Sequence, residues 1–259
     1  MMRTPVDEEL HALGRLLGHP DPGRRHAALI RLDERVTACP PSDDEAMDML
    51  AGLLPTTLTG PPEADLLLAG LYERLGHRPT GRSRPPWRAA GGQLPAQVRI
   101  AWLRADVLHD PGVLRDEAPG ELLYQAVRGA GITATQRPGR LVDELAGSGD
   151  PVLRAEALRL AREGLHAGLL APASVREKLI ALLGASGAPV VAGVLGALAE
   201  PWAATEPLPP GLFGPFLFPD RCSDPAGEQA GDAVREGPVP EAALVAAARH
   251  GHRGLLRRA

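Results

Sequence analysis

The chain has 259 residues, of which 44% are hydrophobic and 23% charged, and its formal net charge is −4. This composition is ordinary for a folded globular protein, and the negative charge argues against a general nucleic-acid binder. The two cysteines, Cys39 and Cys222, lack metal or redox spacing, so we expect no disulfide framework, metal or cofactor. The first residues lack the apolar core of a signal peptide, so we expect a cytoplasmic protein.

Apolar residues recur at helical spacing through most of the chain, and prolines and glycines divide the pattern into segments. Strand signals are nearly absent, because β-branched and aromatic residues are sparse. The sequence therefore predicts an all-α protein. The predicted helices lie near residues 6–18, 22–36, 43–54, 62–76, 95–108, 118–130, 138–146, 151–165, 173–184, 189–200 and 239–258.

A short motif occurs twice, as PDPGRRHAAL at 20–29 and as GDPVLRAEAL at 149–158. In both copies an aspartate is placed to cap a helix, and a proline follows at the first helical position. An apolar periodic stretch precedes each copy, so each unit is predicted to be a helix, a tight turn and a second helix. One such hairpin cannot bury its apolar stripe alone, whereas stacked neighbours can. Weaker copies begin at Asp110-Pro111 and Ala188-Pro189.

The repeated unit resembles a HEAT or armadillo-type repeat. The resemblance implies an all-α, right-handed α-solenoid of stacked antiparallel helix hairpins. It also implies that the aspartate and arginine of the motif bond between neighbouring units. The positions that carry this structural motif are Asp21, Pro22, Arg25, Asp150, Pro151 and Arg154.

Two Pro/Gly-rich breaks, at 76–95 and 206–227, punctuate the helical pattern. They predict N-terminal helical hairpins over 1–76 and a Pro/Gly/Arg-rich loop over 77–95. The pattern next predicts HEAT-like repeats over 96–205. It ends with an aromatic loop and a C-terminal capping helix over 206–259. The uncharged run Leu179–Ala199 is long enough to span a bilayer, but Pro189 falls where the repeat places a helix start. We therefore expect a buried hairpin there and no membrane span.

Charge is unevenly distributed along the first half of the chain. No basic residue lies between Arg35 and Arg74, and no acid lies between Glu73 and Asp106. Arginine and tryptophan in the second stretch suit phosphate contact and base stacking, but the favoured interpretation is that the two stretches partly neutralise each other. The candidate binding residues of this block are Arg82, Arg84, Trp87, Arg88 and Trp102.

The three phenylalanines, Phe213, Phe216 and Phe218, fall within GLFGPFLF, which we expect to have an irregular backbone. They are candidates for a lid or a docking peptide, or, as we favour, a cap on the helical stack. His250 and His252 are two residues apart, so helical geometry points them to different sides, and we expect a solvated basic C-terminus rather than a metal site.

No P-loop, dinucleotide, zinc-protease or nucleophile-elbow motif is present, so the sequence identifies no catalytic residue. The favoured function is a non-enzymatic adaptor or scaffold that binds another protein through a concave surface. Some HEAT-like proteins are glycosylases that hold alkylated DNA in a basic groove with Trp and Asp residues, and the Arg74–Arg104 block keeps nucleic acid as an alternative partner. A helical accessory protein or enzyme of a biosynthetic pathway is a further alternative.

Overall fold

The computed structural model describes residues 5–40, 42–78, 84–90, 92–184, 187–205, 207–217 and 239–256. Within these ranges the chain is helical and contains no strand, which confirms the predicted all-α class. Contacts between residues divide the chain into two compact units, Met1–Arg137 and Pro138–Ala259.

The described residues of the first unit form six α-helices. They are α1 (Pro5–Leu17), α2 (Pro22–Ala38), α3 (Asp44–Ala51), α4 (Pro62–Leu75), α5 (Ala96–His109) and α6 (Glu121–Gly129). Each helix packs on the next along the chain, and α2 also packs on α4. The core between them is made of fully buried leucines together with Tyr72 and Trp102, whose ring centres are 5.4 Å apart.

The second unit repeats this pattern with greater regularity. Its helices are α7 (Pro138–Ala146), α8 (Pro151–His166), α9 (Pro172–Leu183), α10 (Ala188–Leu198), α11 (Gly214–Leu217), α12 (Val239–Arg249) and α13 (Arg253–Leu256). From α7 to α10, each helix packs on its neighbour, and α7 also packs on α9 and α8 on α10. Gly193 permits the last contact, because a Cβ there would lie 2.7 Å from Cδ2 of Leu158.

The two motif aspartates cap their helices, as the sequence predicts. Asp21 accepts from the Gly23 N–H at 2.8 Å, and Asp150 accepts from the N–H groups of Val152 and Leu153. The weak copy at Asp110 caps only the short 3-10 helix Pro111–Arg115.

The two motif arginines behave differently from each other. Arg25 donates to the carbonyls of His19 and Pro20 in its own turn and, at 2.7 Å, to that of Thr59 just before α4. Arg154 instead donates to Ser148 O, at 2.6 Å, within its own turn. Arg25 therefore reaches a carbonyl outside its own helix pair, whereas Arg154 bonds inside one hairpin.

The uncharged run Leu179–Ala199 is divided between α9 and α10, which end and begin on either side of Gly184 and Gly187. In the described ranges, no helix has the length and apolar character needed to cross a membrane. The predicted helix over 239–258 is also divided, because Gly251 adopts φ of +80° between α12 and α13. This left-handed conformation interrupts the helix and is favourable for glycine.

The aromatic segment packs against the C-terminal histidines. Phe213 is fully buried, with its ring centre 5.8 Å from that of His250 and 5.7 Å from that of His252. Phe216 lies on the short helix α11, so the expected irregular backbone is wrong there, whereas Phe213 lies at the turn between the 3-10 helix Pro210–Leu212 and α11. Phe218 lies outside the described residues.

His250 and His252 bind the backbone of one residue, Leu208. The Leu208 N–H donates to His250 Nδ1 at 3.2 Å, and His252 Nε2 donates to Leu208 O at 2.5 Å. His250 Nε2 donates in turn to Leu198 O at 2.9 Å, so both of its ring nitrogens are used by a neutral imidazole. Burial, and the charges of Arg176 and His252, lower the pKa of His250. The expectation of a solvated C-terminus is therefore wrong at His250, which is buried.

The contacts of Arg25 predict that replacing it lowers the stability of the first unit more than replacing the adjacent Arg24. Arg25→Ala should destabilise the first unit by about 2–3 kcal/mol, because charge-assisted bonds to three carbonyls are lost. The melting temperature should fall by about 5–10 °C. Arg24→Ala is the matched control, since its side chain is exposed and its ion pair with Asp21 is long, at 3.9 Å. Equal shifts for the two variants in a thermal melt would contradict the bridging role of Arg25.

Candidate docking cavity around Trp87

Asp106 is the buried acid on which the candidate site is built. It lies on α5, whose other inward positions are apolar, and it is 7% exposed. A carboxylate removed from water in this way is tolerated only with hydrogen-bonding or charged partners.

The segment 84–90 supplies those partners. Arg84 Nη1 donates to Asp106 Oδ1 at 2.5 Å, while Trp87 Nε1 and Arg88 Nη2 donate to Oδ2 at 3.1 and 3.0 Å. The segment itself is held by tight turns, including a bond from the Ala90 N–H to Trp87 O. One carboxylate therefore fixes two arginines and an indole against α5.

Arg88 makes two further contacts that fix the orientation of Trp87. Its Nη1 lies 2.7 Å from Glu117 Oε1, and its guanidinium carbon lies 5.1 Å from the centre of the Trp87 ring. A guanidinium at this distance over an indole is stabilised by the quadrupole of the ring. The segment is thereby joined to the residues just before α6 as well as to α5.

A cavity of about 390 Å³ opens beside Trp87. Most of its lining is apolar or small: Trp87, Leu103, Ala118, Gly120, Leu122 and Leu123. The remaining lining residues are charged. Glu117 is paired with Arg88, and Glu121 accepts from Gln125 Nε2 at 2.7 Å. Arg99 has no ion-pair partner among the described residues, and it is the cation left available to a bound group.

A pair of half-buried histidines lies close to this cluster. His109, on α5, donates from Nε2 to Tyr72 O at 2.7 Å, and its ring centre is 5.8 Å from that of His77. Burial, with the charge of Arg84, lowers the pKa of His109 to about 4. Burial and the charge of Arg78 also lower the pKa of His77. The lowered pKa of each favours the neutral imidazole, and the bond from His109 to Tyr72 O joins α5 to α4.

Five of the described arginines between Arg74 and Arg104 pair with acids, and Arg99 does not. Besides Arg84 and Arg88, the paired members are Arg74 with Asp33, Arg78 with Asp44 and Asp48, and Arg104 with Glu73. Asp44, Asp48 and Glu73 belong to the acidic stretch, as the favoured interpretation requires. Asp33, Asp106 and Glu117 lie outside it, and sequence reasoning did not identify them as partners.

The structure separates the candidate residues that the sequence grouped. Arg84, Trp87 and Arg88 come together on Asp106, whereas Arg82 lies outside the described residues. Trp102 is a core residue and is wrong as a contact residue, because it is fully buried against Tyr72. Phe213 is likewise buried, in the second unit, and cannot present its ring to a partner.

Several residues of the site were not singled out from the sequence, among them Asp106, Glu117 and Arg99. Asp106 could have been found as an acid on an otherwise apolar helical face, but Arg99 has no comparable signal. In the part of the chain that the structure describes, no three His, Cys, Asp or Glu side chains are grouped to hold a metal ion. The arrangement offers a mainly apolar recess with one available cation.

The lowered pKa of His109 predicts a pH-dependent stability. His109 is protonated near pH 6.5 in the unfolded chain but only near pH 4 in the folded unit. The free energy of unfolding is therefore highest above pH 6.5 and decreases as the pH falls below that value. Between pH 7.5 and 5 the loss should be about 2 kcal/mol, at about 1.4 kcal/mol per pKa unit.

Denaturant titrations at the two pH values test this loss. A Trp202→Phe background leaves tryptophans only in the first unit, so fluorescence reports on that unit. His109→Gln keeps a donor for Tyr72 O and should remove most of the loss, while His11→Gln, at an exposed site, should not. An unchanged pH dependence in His109→Gln would contradict the assignment.

No protein-family model, curated protein or solved structure matches this chain. The function proposed next therefore depends on the geometry of the Trp87 cavity and the contacts around it.

Proposed function

We propose that the chain is a non-enzymatic adaptor that binds another protein, and that the Trp87 cavity receives an apolar side chain of that partner. The observation that carries the proposal is the commitment of the neighbouring arginines to carboxylates, which leaves an indole beside a cavity with a mainly apolar lining. Tryptophan and arginine around a recess are the residues in which binding energy concentrates at protein interfaces.

We further propose that the hairpins within each unit stack as HEAT-like repeats in a right-handed solenoid. The capped starts of α2 and α8 support this, as does the packing of α7 on α9 and of α8 on α10. Contacts between alternate helices are expected when successive hairpins lie side by side. The Arg25 bond to Thr59 O is a further contact of the kind that the HEAT resemblance implies.

The same contacts argue against nucleic acid as the partner. A phosphate bound by Arg84 and Arg88 would compete for them with Asp106, which is buried. Weakening these pairs is unfavourable, because it leaves the buried carboxylate with less compensating charge. An apolar group entering beside Leu103 and Leu123 has no such cost.

The cavity also indicates the chemistry of the partner segment. Its volume of about 390 Å³ is at the lower end of the range for ligand pockets, which suits one or two side chains rather than a large cofactor. Arg99 lines the same cavity and is available to a carboxylate. We therefore propose a partner segment with a large apolar residue next to an aspartate or glutamate.

Selection of peptides from a random display library tests this function. Peptides that bind should carry an aromatic or large aliphatic residue beside an acid. Leu122→Glu, which puts a charge in the half-buried lining, and Arg99→Ala should each weaken binding about tenfold or more, equal to about 1.4 kcal/mol. Arg15→Ala, at an exposed site on α1, is the control and should leave affinity unchanged.

The nucleic-acid alternative is tested by anisotropy with a generic DNA duplex at two salt concentrations. Counterion release makes phosphate binding fall steeply with salt. We expect no salt-sensitive binding at physiological salt. Sub-micromolar affinity that Arg84→Ala and Arg88→Ala reduce together would overturn the adaptor proposal.

A further inference from the structure

A second apolar recess lies in the first unit between α1, α2 and α3. Its volume is about 250 Å³, and its apolar lining includes Leu10, Ala38, Ala46 and Leu50. Met49 completes this lining although 43% of its surface is exposed, which is unusual for so large an apolar side chain. We refer to this site as the Met49 recess.

A neighbouring recess of about 280 Å³ continues along α1 and α2. Its lining is Ala12, Leu13 and Leu16 together with the charged residues Glu9, Arg31, Glu34 and Arg35. Both recesses are also lined by Glu9 and Arg35, which form an ion pair with each other. This pair is therefore the junction between the two recesses. Together they form one groove that follows the α1–α2 contact.

The spacing of the two recesses fits a helical occupant. Leu10 lines one recess, and Leu13 and Leu16 line the other, so their apolar walls are about 5–9 Å apart along α1 at 1.5 Å per residue. Apolar side chains four or seven residues apart on a second helix are about 6 or 10.5 Å apart and share one face. An amphipathic helix laid along the groove can thus place one side chain in each recess.

Charge around the Met49 recess favours a basic occupant. Arg35, the basic residue in its lining, is matched by Glu9, and Asp43 adds a further carboxylate. Glu45, one helical turn before Met49, is exposed, and no basic residue follows Arg35 until Arg74. A like-charged acidic segment would be repelled here, whereas lysine or arginine beside the apolar anchor is attracted.

We propose that this groove docks a basic amphipathic helix of a partner protein, with an apolar side chain in each recess and basic residues beside the Met49 recess. The site is separate from the Trp87 cavity and does not depend on it. Two docking surfaces of different charge preference would let one unit join two partners, which is what an adaptor requires.

Two model peptides test the groove by fluorescence anisotropy. The probe is a labelled 14-residue helical peptide of leucine and lysine, and its match has glutamate at every lysine position. The Leu/Lys peptide should bind, and Met49→Lys should weaken it at least tenfold. Ile30→Lys is the matched control, because Ile30 is equally exposed on α2 but lines neither recess. Equal effects of the two variants, or equal binding of the Leu/Glu peptide, would overturn the proposal.

Cys39 reports directly on the position of the peptide, since it lines the Met49 recess and is partly exposed. In a Cys222→Ser chain it is the single thiol, and bound Leu/Lys peptide should slow its reaction with a disulfide reagent at least fivefold. An unchanged rate at saturating peptide would place the peptide elsewhere and overturn the proposal. Leu122→Glu should leave this protection intact, so failure at the Trp87 cavity and failure here are distinguishable.

Discussion

The buried carboxylate of Asp106 is the interaction on which the first unit's candidate site depends. Its two oxygens accept from three side chains of a segment that has no α-helix of its own. The indole is thereby held with little freedom, and a side chain fixed before binding loses less entropy when a partner arrives. The same acid also neutralises guanidinium groups that the sequence alone presents as a basic surface. One carboxylate thus decides both the shape and the charge of the cavity.

Most helix positions could be predicted because their signals are local. Asp21-Pro22 and Asp150-Pro151 place a cap and a first-turn residue in adjacent positions, and α2 and α8 begin as predicted. Helix ends were predicted wrongly where one residue type is compatible with two backbone conformations. Gly251 could stand within a helix or end one, and only its left-handed backbone decides for the break before α13.

The candidate site was less predictable because partners distant in sequence define it. Trp87 and Trp102 look alike in the sequence, yet one lines a cavity and the other is enclosed against Tyr72. Periodicity gives the buried face of a helix but not which polar group will find a partner there. Asp106 can be buried on α5 because Arg84 and Arg88 of segment 84–90 donate to it. This contact depends on tertiary packing and leaves no local signal in the sequence.

The two histidines at Leu208 have a consequence for how the second unit tolerates changes in length. Their bonds join positions 42 and 44 residues apart, and Phe213 packs on the same rings. Closing a loop costs conformational entropy that rises only with the logarithm of its length, about 0.6 kcal/mol for each doubling. Leu208, His250 and His252 therefore hold together parts of the second unit that are distant in sequence, and the entropy cost of this closure depends only weakly on how many residues separate them.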